Sequence, residues 1–165
     1  LLFADADGAT PIGEEAGLAA AIAAGADVAV ASRLLDAEGV RRRRTWSRGL
    51  AGRLFAWLVR WWLGIPVRDT QCGFKMFGRE AGRRLFTLSR ESGYLFDLEL
   101  LLLAGRLGYR VAEVPVNWTD VPGGHLSMSR ELGRIASGLW RLRRRSRELD
   151  GLPRPDACES SPPKS

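Results

Sequence analysis

Residues 1–33, LLFADADGATPIGEEAGLAAAIAAGADVAVASR, read as strand, helix, strand. The apolar run at the start ends on two aspartates, Asp5 and Asp7, with one alanine between them. Thr10 stands where a helix would be capped, and Pro11 suits the first helical position because its φ is already fixed there. Glu14 and Glu15 follow where the helix dipole favours acids. LAAAIAA carries the helix to Gly25, and DVAVASR is a second short strand. Two strands joined through one helix at this spacing predict an α/β fold.

The rest of the chain extends that pattern. LLDAEGVRRRRTWSRG is a polar, arginine-rich connection. Trp46, Leu50, Leu54, Trp57, Leu58 and Trp61 then recur at three- and four-residue steps and predict a helix from about Trp46 to Leu63, ended by Gly64 and Pro66. VRDTQCGFKMF is a loop leading into a strand, REAGRRLF a short helix, and YLFDLELLLLAGRLG an apolar helix ending at Gly108. YRVAEVPVNW is a strand whose Pro115 suits an edge or an end. TDVPGGHLSM is a loop, and a last helix covers Ser129–Leu149 with arginines crowded near its end. GLPRPDACESSPPKS is Pro/Ser-rich and is expected to be disordered.

The 165 residues suit one domain, and 45% of them are hydrophobic, enough for a core. A net charge of +6 favours anionic partners: phosphates, nucleic acid or an anionic membrane face. Cys72 and Cys158 lie far apart without CxxC spacing, which argues against a disulfide framework or zinc site and fits a reducing compartment. No apolar run reaches the ~18 residues of a membrane span. A first residue of Leu1 rather than Met leads to the expectation of a fragment or a processed chain.

In open α/β sheets ligands gather at the carboxyl ends of strands. Two carboxylates in a turn just past a strand, with Gly8 to shape it, can hold a divalent cation, and the cation a diphosphate. A solvated turn is the plain alternative for so short a motif. LLFADADGATPI, DVAVASR, PVRDTQCGFKMF and LFDLELLLLAGRLGYRVAEVPVNW come in one order. Together they resemble the family 2 glycosyltransferases of the GT-A fold, over about residues 1–130. The nearest branch moves a sugar from a nucleotide onto a polyprenyl phosphate, as dolichyl-phosphate glucosyl- and mannosyltransferases do. DADGAT matches the glucosyltransferase form better.

The resemblance implies a fold class, a reaction and a site. The fold would be the C-terminal part of a GT-A, Rossmann-like domain (1–130), followed by a basic helix (131–149) and a tail (150–165), with the nucleotide-binding N-terminal half missing. The reaction would be inverting transfer from a nucleotide sugar, UDP-glucose by preference, to a polyprenyl or dolichyl phosphate. Asp7 would ligate Mg²⁺ or Mn²⁺, and Asp5 would bind the metal through water or hold the donor. Arg33, Arg44, Ser47 and Arg48 would take the acceptor phosphate. Asp69 and Gln71 would line the sugar and acceptor site, where a turn with Asp69 capping local amides is an equal alternative. Asp97 and Glu99 would supply the acidic groups, against a simple role at a helix N-terminus. His125 stands near the place of a loop lysine that reaches the diphosphate in relatives. Cys72 reads as a small buried residue rather than a nucleophile.

TWSRGLAGRLFAWLVRWWLG sets Trp57, Trp61 and Trp62 beside Arg48, Arg53 and Arg60, a composition that suits a helix lying in a membrane interface. Packing against the sheet is the alternative. The location expected for such a transferase is the cytoplasmic face of a membrane. A non-catalytic basic module is the rival reading, but it leaves DADGAT, RDTQCGF and FDLE unused. No RNA-recognition or helix-turn-helix signature is present, so no nucleic-acid partner is expected.

Overall fold

The computed structural model describes residues 1–35, 42–43, 57–65, 67–119 and 128–149. Four strands form one sheet: β1 (Leu2–Ala4), β2 (Val28–Ser32), β4 (Phe74–Phe77) and β5 (Val111–Pro115). Their order is β1-β4-β2-β5. β4 runs antiparallel to both of its neighbours, whereas β2 and β5 are parallel. β1 therefore points the same way as β2 and β5. Two short strands, β3 (Arg42–Arg43) and β6 (Trp118–Thr119), pair in parallel outside that sheet.

Strand alternation divides the core into two faces. Ala29, Ala31, Phe74 and Val116 pack with Leu18 of α1 (Glu15–Ala23) on one side. Val28, Val30 and Phe77 face the other side and meet α3 (Arg79–Leu88) and α4 (Phe96–Arg106). Residues 57–63 form helix α2, which buries Val59 and Leu63 in the same cluster. α5 (Met128–Leu149) covers it further through Leu142. α4 buries every residue from Leu98 to Ala104, because the sheet, α3 and α5 leave it little contact with water. Glu99 lies within this buried run.

Several boundaries follow local chemistry. Gly25 and Gly108 take positive φ just beyond α1 and α4, a conformation that glycine adopts without a steric cost. Pro115 closes β5, an edge strand, where its missing N–H removes no ladder bond. Helix α1 departs from expectation at its start. Pro11 precedes a 3-10 turn, Ile12–Glu14, and no side chain caps it, so Thr10 is not the N-cap.

Candidate active site

β1, β2 and β5 end at one rim of the sheet, and the segment entering β4 starts there. A small cleft of about 60 Å³ opens at this rim, lined by Asp5, Asp7, Arg33, Gln71, Gly73 and Trp118 among others. Asp5 continues the β1 ladder by donating its N–H to the Gly73 carbonyl at 2.8 Å. The chain then turns, with Gly8 at φ +67°, and Asp7 Oδ1 accepts the Ala9 N–H at 3.0 Å. A continuing strand would send the two carboxylates to opposite faces; the turn brings both to the cleft.

Burial raises the Asp5 carboxyl above its usual range, and the neighbouring negative charges of Asp97 and Asp7 raise it further. Lys75 and Arg33 pull in the other direction. Gly73 provides the space for this carboxylate, since a Cβ built there would overlap Asp5. Among the described residues, no group of three or more His, Cys, Asp or Glu side chains is placed to hold a metal ion. Asp5 and Asp7 offer hard oxygen donors of the kind Mg²⁺ and Mn²⁺ accept, with phosphate and water completing the shell. The pair fits such a cation, and its positive charge would relieve the crowding at Asp5.

Arg33 follows β2 and also lines the cleft. Its Nε and Nη2 donate to Asp69 Oδ2 and Oδ1 at 2.8 and 2.9 Å, and its backbone N–H adds a third bond to Oδ2 at 2.8 Å. The guanidinium also lies 5.4 Å from the centre of the Trp118 ring. Asp69 is 2% exposed. Burial alone would raise its pKa, but the bonds and charge of Arg33 hold the carboxyl below its ordinary value. The Asp69 loop is fixed in turn by Glu113 Oε1, which accepts the N–H groups of Arg68 and Asp69 at 2.8 and 2.9 Å. Gln71 donates its backbone N–H to Asp69 Oδ1 at 3.3 Å, and its buried Nε2 has no hydrogen-bond partner among the described residues. A donor at the cleft wall without a partner is chemically suited to an anionic oxygen.

No protein-family model matches the chain. It is 36% identical over 160 residues to the dolichyl-phosphate β-glucosyltransferase of Drosophila melanogaster, covering 86% of this chain and 49% of that protein. The human dolichyl-phosphate β-glucosyltransferase is 37% identical over 166 residues, with the same two shares. The Saccharomyces cerevisiae protein of that name is 31% identical over 159 residues, 86% of this chain and 46% of the relative. The chain resembles the dolichyl-phosphate β-glucosyltransferases. It spans about half the length of these curated relatives. The likeness seen in the motifs therefore extends over most of this chain, and the relatives are glycosyltransferases by name.

Asp97 and Glu99 take separate places, as residues two apart on a helix must. Asp97 Oδ1 accepts from Lys75 Nζ at 2.8 Å, and Lys75 and Asp97 both act electrostatically on Asp5. Glu99 is buried away from the cleft. It accepts from Ser89 Oγ at 2.6 Å, from the N–H groups of Arg90 and Glu91 at 2.8 and 2.7 Å, and from Arg145 of α5. Both of its carboxylate oxygens are engaged between α4, residues 89–91 and α5, and it does not line the cleft with Asp5 and Asp7. Both oxygens of Asp69 likewise accept from Arg33, which lines the cleft. Cys72 is buried and its thiol is pushed up to about 11, chiefly by desolvation, as a packed residue requires.

Arg44, Ser47, Arg48 and His125 lie outside the described residues, as does the tail. β3 pairs Arg42 with Trp118, so the chain passes beside the cleft just before Arg44. The sequence reading missed Lys75, Gly73, Trp118 and Glu113. Lys75 carried a usable signal: a charge between Phe74 and Met76 in a buried strand needs a partner. The others depend on register and on contacts distant in the chain.

Proposed function

We propose that the protein transfers a sugar, glucose from UDP-glucose by preference, to a polyprenyl or dolichyl phosphate with inversion at the anomeric carbon. The observation that carries this reading is that Asp5, Asp7 and the braced Arg33 line one and the same cleft. The glucosyltransferase names of the relatives support the choice of sugar and acceptor. Asp5 and Asp7 would hold Mg²⁺ or Mn²⁺, which when bound stabilises negative charge on the departing nucleoside diphosphate. Arg33, fixed by Asp69 and Trp118, would orient the acceptor phosphate. Gln71 Nε2 would donate to an oxygen of donor or acceptor. The acceptor is a phosphate monoester carrying roughly −1.5 to −2 charge, already nucleophilic, so placement matters more than a strong base. Asp97 would accept from a sugar hydroxyl.

The acceptor's lipid chain calls for a membrane surface, and an exposed Trp–Arg face on α2 and α5 supports that part of the reading. Trp61 and Trp62 of α2 and Trp140 of α5 are exposed, the first at 69% and the last at 62%. With Arg143, Arg144 and Arg147 they line a groove of about 620 Å³. Arg143 donates to the Trp62 carbonyl at 2.7 Å and lies 5.9 Å from its ring centre. Tryptophan at headgroup depth with arginine on lipid phosphates is a stable interfacial arrangement. Among the described residues no helix is long and apolar enough to cross a membrane, and the proposed attachment is peripheral or through segments outside this chain. The cytoplasmic leaflet is the proposed side, in keeping with the free thiol of Cys72.

The deciding assay measures glucose transfer from UDP-glucose to polyprenyl phosphate by full-length protein with Mg²⁺ or Mn²⁺. Asp7→Asn is expected to lower the rate about 100-fold or more while the thermal midpoint holds. Near-normal turnover in that variant would remove the acidic pair from the mechanism. Vesicle binding without any transfer by the wild type would select the second reading that the Trp–Arg face supports, a membrane-binding module without catalysis.

A further inference from the structure

Lys75 is the most unusual residue near the cleft. It sits on a central strand with a fully buried side chain. β4 turns it toward the face occupied by α3 and α4, opposite Phe3 in the register, with Nζ 6.0 Å from the centre of that ring. Nζ donates to the Cys72 carbonyl at 2.7 Å and to Asp97 Oδ1 at 2.8 Å. The Asp97 side chain is 22% exposed and stays in contact with water. An ammonium is costly to bury, and a buried pair remains acceptable only when its geometry and hydrogen bonds are good.

The carboxylates around it supply the reason for a cation at that place. Asp5 is acted on by Asp97, Asp7, Lys75 and Arg33. Arg33 is engaged with Asp69. Three carboxylates and one ammonium remain, which leaves two negative charges. That is the charge one divalent cation balances.

We infer that Lys75 is a positioning residue, the internal counterion of the acidic centre, holding Asp97 in place and keeping the centre assembled when no metal or donor is bound. The assignment rests on the transferase reading only for the purpose it gives the cluster. Its physical content is a charge pairing that can be measured in the resting protein.

The test is a mutant cycle in full-length protein: Lys75→Met, Lys75→Arg, Asp97→Asn and the double variant Lys75→Met/Asp97→Asn, each unfolded thermally in EDTA. Lys75→Met keeps the chain length and removes the charge, and is expected to lower the midpoint by about 6 °C or more. Lys75→Arg should stay closer to wild type than Lys75→Met. Asp97→Asn in the Lys75→Met background should recover at least half of the loss, because the unpaired carboxylate is gone. A double variant that loses the sum of the two single losses overturns the inference and leaves Lys75 a packing residue. If Lys75→Met alone does not fold, a cooperative transition in the double variant supports the pairing, and an unfolded double variant refutes it. Failure of the transferase reading shows separately, as no glucose transfer by the wild type, and leaves the comparison of midpoints intact.

Discussion

The cleft at the strand ends and the Trp–Arg face of α2 and α5 are both rich in arginine, yet they use it in opposite ways. Arg33 is held by a two-point fork to a buried carboxylate and by an aromatic ring, so its direction is set before any ligand arrives. Arg144 is 71% exposed and lies 3.7 Å from Glu148, one turn along the same helix. The first arrangement suits a small ligand that must be aligned to within a fraction of an ångström. The second suits a fluid, anionic surface, where many weak and adaptable contacts add up.

The largest effect expected from that contrast is on the outer face. Replacing Arg143, Arg144 and Arg147 together by alanine should weaken binding to phosphatidylserine vesicles by about 3 kcal/mol, at about 1 kcal/mol for each basic residue near the surface. Sedimentation with vesicles measures it. Unchanged binding would remove this face from the proposed membrane contact.

A smaller effect is expected inside the cleft, and it should appear in folding as well as in rate. Asp69→Asn leaves Arg33 half-buried without its carboxylate and should cost about 2–3 kcal/mol in urea unfolding. The same pair predicts a pH dependence. The folded Asp69 carboxyl titrates below its ordinary value, so the bond contributes in full above about pH 4. The contribution is lost as the pH falls further, through the lowered folded value. Stability of the wild type should therefore decline more steeply on the acid side than that of Asp69→Asn. Parallel acid limbs would mean the carboxylate is not held by charge.

The smallest effect concerns Cys72. With its thiol pushed up to about 11 and its side chain buried, it should react very slowly with a thiol reagent at neutral pH in the folded protein and promptly in urea. A Cys158→Ser background isolates the signal. Fast labelling of the folded protein would show that the loop before β4 opens, and that the cleft is less rigid than its hydrogen bonds indicate.

Local pattern made most of the framework legible. The strand-helix-strand start, the glycine ends of α1 and α4, the edge position of Pro115 and the long last helix all follow from periodicity and turn chemistry, which act over a few residues. The convergence of Asp5 and Asp7 was legible for the same reason, since a turn containing Gly8 is a local event.

What the sequence by itself determined is therefore the set of elements and the acidic and basic residues at their ends. The tertiary structure alone decided which of those charges share a site. FDLE offers two acids two residues apart, and nothing in that string shows that Asp97 turns to Lys75 while Glu99 turns to Arg145. Asp69 became the brace of Arg33 because a loop 36 residues downstream returns to the end of β2. Gly73 became the space for Asp5 because the β1–β4 register sets them opposite each other. Propensity acts between chain neighbours, whereas the role of a buried charge depends on the partner that shares its desolvation, and only packing brings the two together.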